Sequence, residues 1–129
     1  MRRAREILTS GDGRMESPGE SVSHLYLRDI GFPPPILQSP VPGPHGATYH
    51  VDFELDDAFG EFDGMGKYTD PVLRGGRDIE DVIVAEKRRE DWIRGMTGKR
   101  VVRWGMADIS DAGAFEQRLA RFGLRPPRR

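Results

Sequence analysis

Residues 50–70 read HVDFELDDAFGEFDGMGKYTD, two alternating runs joined by Asp56-Asp57. Strand residues alternate faces. Centring the turn on Asp56-Asp57 puts Val51, Phe53 and Leu55 on one face. It sets Phe53 opposite Gly60, and Leu55 opposite Ala58. The same register sets Asp52 against Glu61 and His50 against Asp63. Like charges directly across a strand pair are destabilising. Such a face is tolerated when it is open to water, as one face of many antiparallel sheets is. It is also tolerated when a cation lies between the acids. Hard divalent cations take oxygen ligands, and Mg²⁺ characteristically uses one or two carboxylates plus water and substrate phosphate. Asp52 and Glu61 are the opposed acids such a cation would lie between. Glu20 upstream and Lys67 in the following loop are the other groups able to join them.

The elements that would position these residues follow from pattern. Ser17 and Pro18 start a helix, with Glu20 in its first turn. Val22, Leu25, Tyr26 and Ile30 recur at helical spacing. Gly31 and the prolines 33–35 end it. ILQSPV, bounded by prolines, is a strand suited to a sheet edge. ATYHVDFEL and FGEFD form the hairpin, and residues 64–77 form a Gly-rich connection. Residues 78–96 are helical and stop at Gly98, with Trp92 and Ile93 expected in the core. RVVRW (100–104) is a strand with Trp104 buried. Residues 110–122 form a last amphipathic helix carrying Ala114, Phe115, Leu119 and Phe122. The order α-β-β-β-α-β-α predicts an α/β fold with a mixed sheet flanked by helices. Residues 1–15 read as a leader, the remnant of a longer chain. Residues 16–124 form one domain, and 125–129 a basic tail.

Composition narrows the function classes. The chain has 129 residues, with 20 Lys and Arg against 21 Asp and Glu, a net charge of −1. There is no overall basic field to attract nucleic acid, although local patches remain open. The absence of cysteine excludes disulfides and thiolate metal sites and fits a reducing cytoplasm. No apolar run is long enough for a membrane helix. The three histidines show no zinc spacing. Gly64 and Gly66 do not match a P-loop or a dinucleotide fingerprint.

Several segments together resemble the PD-(D/E)XK nuclease superfamily, and within it the bacterial branch related to very-short-patch-repair endonucleases. They are SPGES around Glu20, PPPILQ, YHVDFEL around Asp52, EFDGMGKY from Glu61 to Tyr68, VAEKRREDWIRGMTG, and RVVRW. The resemblance covers about residues 15–108. It implies a restriction-endonuclease-like core, α-β-β-β-α-β plus a C-terminal helix. It also implies a Mg²⁺- or Mn²⁺-dependent phosphodiesterase acting on DNA. Asp52 and Glu61 look like the metal-binding acids, and Glu20 is similar in position to the helix acid that supports the metal or its water. Many members carry a lysine two residues after the second acid. This chain has Asp63 there, a further candidate metal ligand on this resemblance; either Lys67 stabilises charge on the phosphate in its place, or the site works without a lysine in that role. His50 and Lys87 are candidate nucleic-acid contacts. A homodimer, or a larger defence or repair complex, is the assembly such an enzyme implies. Two other classes stay open. One is a non-catalytic nucleic-acid-binding or interaction domain that keeps the fold. The other is an accessory domain of a defence or toxin–antitoxin system.

Overall fold

The structure is a computed structural model and describes residues 17–64 and 78–127. The element order is helix α1 (Pro18–Ile30), strands β1 (Ile36–Pro42), β2 (Thr48–Glu54) and β3 (Ala58–Phe62), helix α2 (Ile79–Thr97), strand β4 (Arg100–Trp104) and helix α3 (Ala112–Arg121). Single 3₁₀ turns lie at Pro44–Gly46 and Met106–Ile109. The four strands form one sheet in the order β1-β2-β3-β4. β1/β2 and β2/β3 are antiparallel, and β3/β4 is parallel. The parallel pair is joined through α2, as a parallel pair requires a crossover. The protein is thus a mixed α/β fold, as the element order predicts.

Local chemistry sets the helix ends. Ser17 and Glu20 form a reciprocal capping box: Glu20 N donates to Ser17 Oγ at 3.2 Å, and Ser17 N donates to Glu20 Oε2 at 3.3 Å. Gly31 closes α1 and Gly98 closes α2, both in the left-handed conformation.

The core has two parts. The larger contains Leu27 of α1, Phe53, Leu55 and Ala58 of the hairpin, Val102 and Trp104 of β4, and Phe115 and Leu119 of α3. Trp104 stacks on Phe53 at 5.8 Å and meets Phe115 edge-on at 4.8 Å, contacts of about 0.5–1.5 kcal/mol each beyond burial. Its Nε1 donates to Ser23 Oγ at 2.8 Å, and that hydroxyl donates to Gly19 O at 2.7 Å. The buried indole is therefore fully satisfied. Gly60 makes this possible, because a Cβ there would lie 2.4 Å from the Trp104 ring. The smaller part joins Val41, Val51 and Phe59 to Ile93 of α2.

Three expectations need correction. Val51, Phe53 and Leu55 are all buried, but Val51 belongs to the α2 cluster and the other two to the larger core. Trp92 is not in the core. It is 38% exposed, and its Nε1 donates to Pro42 O at 2.7 Å, tying α2 to the sheet edge. Phe122 is likewise exposed, with Arg118 over its ring at 4.9 Å.

Candidate functional site

The site begins where the hairpin opens. Near its turn the ladder pairs Phe53 with Gly60 and Glu54 with Phe59, in the predicted register. Two residues further on, Phe62 N donates to the Asp52 side chain, Oδ2, at 3.0 Å. The carboxylate takes a place that a backbone carbonyl would fill in a regular ladder. Asp52 and Glu61 are therefore not a flat ladder pair as the register implied. The strands part there, with Asp52 wedged at the fork.

Glu20 reaches the same fork from α1. The helix N-terminus fits closely against β3 because position 19 is glycine; a Cβ there would lie 2.1 Å from the Phe62 ring. The capping box fixes one Glu20 oxygen on Ser17 N. The other, Oε1, accepts from Gln38 Nε2 at 3.1 Å. The same nitrogen faces Asp52 Oδ1 at 3.4 Å. Gln38 lies opposite Asp52 in the β1/β2 register, with φ at 48°. That left-handed value is uncommon for a residue with a side chain.

Electrostatics report how close the acids are. The Asp52 carboxyl is pushed up to about 7 from its ordinary 3.8. Burial is the largest cause, followed by the Glu20 charge; the Phe62 N–H opposes the rise, and the Glu61 charge adds to it. Three carboxyl groups thus share one field, and Asp52 accommodates it by holding its proton.

Glu61 is buried and differently engaged. Arg89 of α2 grips it with two bonds of 2.9 Å, Nη1 to Oε1 and Nη2 to Oε2. Arg89 Nη2 also donates to His50 O at 2.7 Å. Arg103 Nη2 lies 3.3 Å from Glu61 Oε1 and donates to Glu86 Oε2 at 3.1 Å, while its Nε donates to Glu90 Oε1 at 3.1 Å. Burial alone would weaken the charge on Arg89. Glu61, by hydrogen bond and by charge, more than offsets it, so its pKa is raised. Arg103 behaves in the same way, with Glu61 and Glu90 opposing the cost of burial. Bidentate guanidinium–carboxylate pairs of this kind are geometrically specific. This one locks α2 to β3.

Asp63, Lys87 and His50 make other contacts. Asp63 N donates to Trp104 O, and the residue lines a cavity with Gly105, Met106, Asp108 and Arg118. Lys87 is exposed on α2, 3.9 Å from Asp91. Of His50, the backbone carbonyl takes part through Arg89. Lys67 lies outside the described residues. A cavity of about 440 Å³ sits at the turn end of the hairpin, lined by Phe32, Glu54, Asp57, Lys99 and Arg125 among others, and contains none of the acids at the fork.

Sequence reasoning passes over Gln38 and Arg103, and reads Arg89 only as a helix charge that pairs with Glu86 or lines a groove with Lys87. Arg103 carries a legible signal, a cation within reach of Glu86 and Glu90 once α2 packs on β4. Gln38 carries none, because only the cross-strand register brings it to Asp52.

Among the described residues, no group of three or more His, Asp or Glu side chains is arranged as a ready metal cage. A two-carboxylate site does fit. Glu20 Oε1 and Asp52 Oδ1 converge on one donor nitrogen, and hard oxygens in that number suit Mg²⁺ or Mn²⁺. Glu61 contributes charge, with both of its oxygens on Arg89.

Fold and site together define a mixed α/β domain with an acidic fork at the centre of its sheet. No protein-family model matches the chain, and no solved structure matches it. It is similar to uncharacterised proteins of two Mycobacterium tuberculosis strains, CDC 1551 / Oshkosh and ATCC 25618 / H37Rv. With each it is 46% identical over 101 residues, a match covering 67% of this chain and 37% of the relative. The chain therefore spans little more than a third of these longer relatives. No helix among the described residues is long and apolar enough to cross a membrane.

Proposed function

We propose that this domain is a Mg²⁺- or Mn²⁺-dependent endonuclease of the restriction-endonuclease-like kind, hydrolysing phosphodiester bonds in DNA within a reducing cytoplasm. The observation that carries the reading is the fork. Asp52 replaces a ladder carbonyl on Phe62 N and is thereby held beside Glu20, with the charge of Glu61 close enough to raise its pKa. Burial and the charges of Glu20 and Glu61 all raise the cost of ionising Asp52, a cost that a cation bound there would offset.

Glu20 and Asp52 would hold the cation. When bound, it would lower the pKa of a water and polarise the phosphodiester. The chain's own contribution is positional. The capping box fixes Glu20, and the Phe62 amide fixes Asp52. The Arg89–Glu61 pair holds α2 against β3, and Lys87, exposed on that helix, would meet the phosphate backbone. Lys67, which follows Glu61 in the sequence, is the group assigned to neutralise the phosphate.

One observation favours a second reading, a nucleic-acid-binding scaffold without catalysis. Both Glu61 oxygens are occupied by guanidinium nitrogens. Cleavage of supercoiled plasmid and of a single-stranded oligonucleotide separates the two. The assay uses Mg²⁺, Mn²⁺ or EDTA, with wild type beside Asp52→Asn. The enzyme reading expects metal-dependent cutting that the variant loses. Salt-dependent DNA binding with no cutting in either protein, and no rise in melting temperature with metal, would establish the scaffold instead.

A further inference from the structure

Glu20 Oε1 and Asp52 Oδ1 point at the same atom, the Gln38 side-chain nitrogen, at 3.1 and 3.4 Å. Each carboxylate's other oxygen is anchored on a backbone amide, Ser17 N or Phe62 N. Glu20 and Asp52, which also meet in a side-chain hydrogen bond of their own, thus share one neutral donor. The backbone at Gln38 sits in the left-handed region to put it there. Conformations of that sort are strained for a residue with a side chain and concentrate at functional sites.

A carboxamide is suited to this place for a reason that no aliphatic side chain shares. It carries a donor and an acceptor at the same reach. Its nitrogen satisfies carboxylates when no cation is present. Its oxygen is a hard, neutral ligand of the class that Mg²⁺, Mn²⁺ and Ca²⁺ accept. Resting on the cation site proposed above, we infer that Gln38 is its third member: a positioning residue whose nitrogen holds Glu20 and Asp52 converged in the free protein and whose oxygen serves the divalent cation. The assembled donor set is then two carboxylates and one amide oxygen from three elements, α1, β1 and β2.

The test measures cation binding and needs no substrate. Mn²⁺ affinity is determined by electron paramagnetic resonance for wild type, Gln38→Leu and Gln38→Glu. Circular dichroism confirms that each variant is folded. Loss of a group that orients metal ligands typically costs 10–100-fold in affinity. Gln38→Leu is therefore expected to bind Mn²⁺ about 10–100-fold more weakly, and Gln38→Glu, which restores an oxygen, to recover most of the loss. In ¹H–¹⁵N spectra of the wild type, the Gln38 side-chain amide resonances are expected to move as Mg²⁺ saturates. Wild-type affinity in Gln38→Leu, together with amide resonances that do not move on saturation, would overturn the role of Gln38 and leave the cation site standing. Failure of the wild type to bind Mn²⁺ at all would overturn the cation site, and the inference with it.

Discussion

Replacing Asp52 with Asn keeps the shape of the side chain and an oxygen for the Phe62 N–H, and removes the charge that the fork opposes. Its effect on stability can be worked from the pKa. In the unfolded chain the carboxyl titrates near its ordinary 3.8, and in the folded protein near 7. A raised carboxyl pKa means that the folded state binds the proton more tightly. The contribution is therefore fully present below pH 3.8 and is lost as pH rises through about 7. At about 1.4 kcal/mol per pKa unit, the ceiling is about 4 kcal/mol; relaxation and partial solvent access bring the expected value to about 2–3 kcal/mol. The assay is chemical denaturation in EDTA at intervals from pH 4 to 8, for wild type and Asp52→Asn. The Asn variant should gain on the wild type through this window and be the more stable protein at pH 8. A wild-type-minus-variant difference that stays flat from pH 5 to 8 would refute the crowding of Asp52 by burial, Glu20 and Glu61. Saturating Mg²⁺ at pH 8 should stabilise the wild type and leave the variant nearly unmoved, because a ligand of the folded state stabilises only where it binds.

Two further predictions concern the frame of the site. Arg89→Met leaves buried Glu61 with Arg103 alone and should cost about 3–5 kcal/mol in urea denaturation; Arg89→Met combined with Glu61→Gln should recover part of that loss, and equal costs for single and double variants would dismiss the pair as a lock between α2 and β3. Gly60→Ala drives a methyl to within 2.4 Å of the Trp104 ring and should cost about 1–3 kcal/mol by overpacking, read as a lower melting temperature with altered tryptophan fluorescence; an unchanged melt would contradict the close seating of the indole on β3.

Much of this fold is written locally. The Ser17–Glu20 box, the glycines after α1 and α2, and the prolines flanking β1 act within a few residues of themselves, so the element order and its boundaries are legible from sequence. So is the hairpin register near its turn, because Asp56-Asp57 fixes which residues face. The acids at the fork were candidates for the same reason: their types and spacing are one-dimensional facts. The exposed Trp92 shows the limit, since helical spacing cannot tell a residue beneath a helix from one at its flank.

Local order along the chain dictates which elements form and which residues carry charge and oxygen. Their partners are set by packing. The register opens where Asp52 takes the Phe62 amide, because a side chain can outcompete a backbone carbonyl only when the strands have room to part. Gln38 becomes part of the site because β1 pairs with β2, a contact between residues 14 positions apart. Glu61 receives Arg89 from 28 positions away, once α2 crosses back over the sheet. Hydrogen bonds and charges act over a few ångströms in space and take no account of distance along the chain.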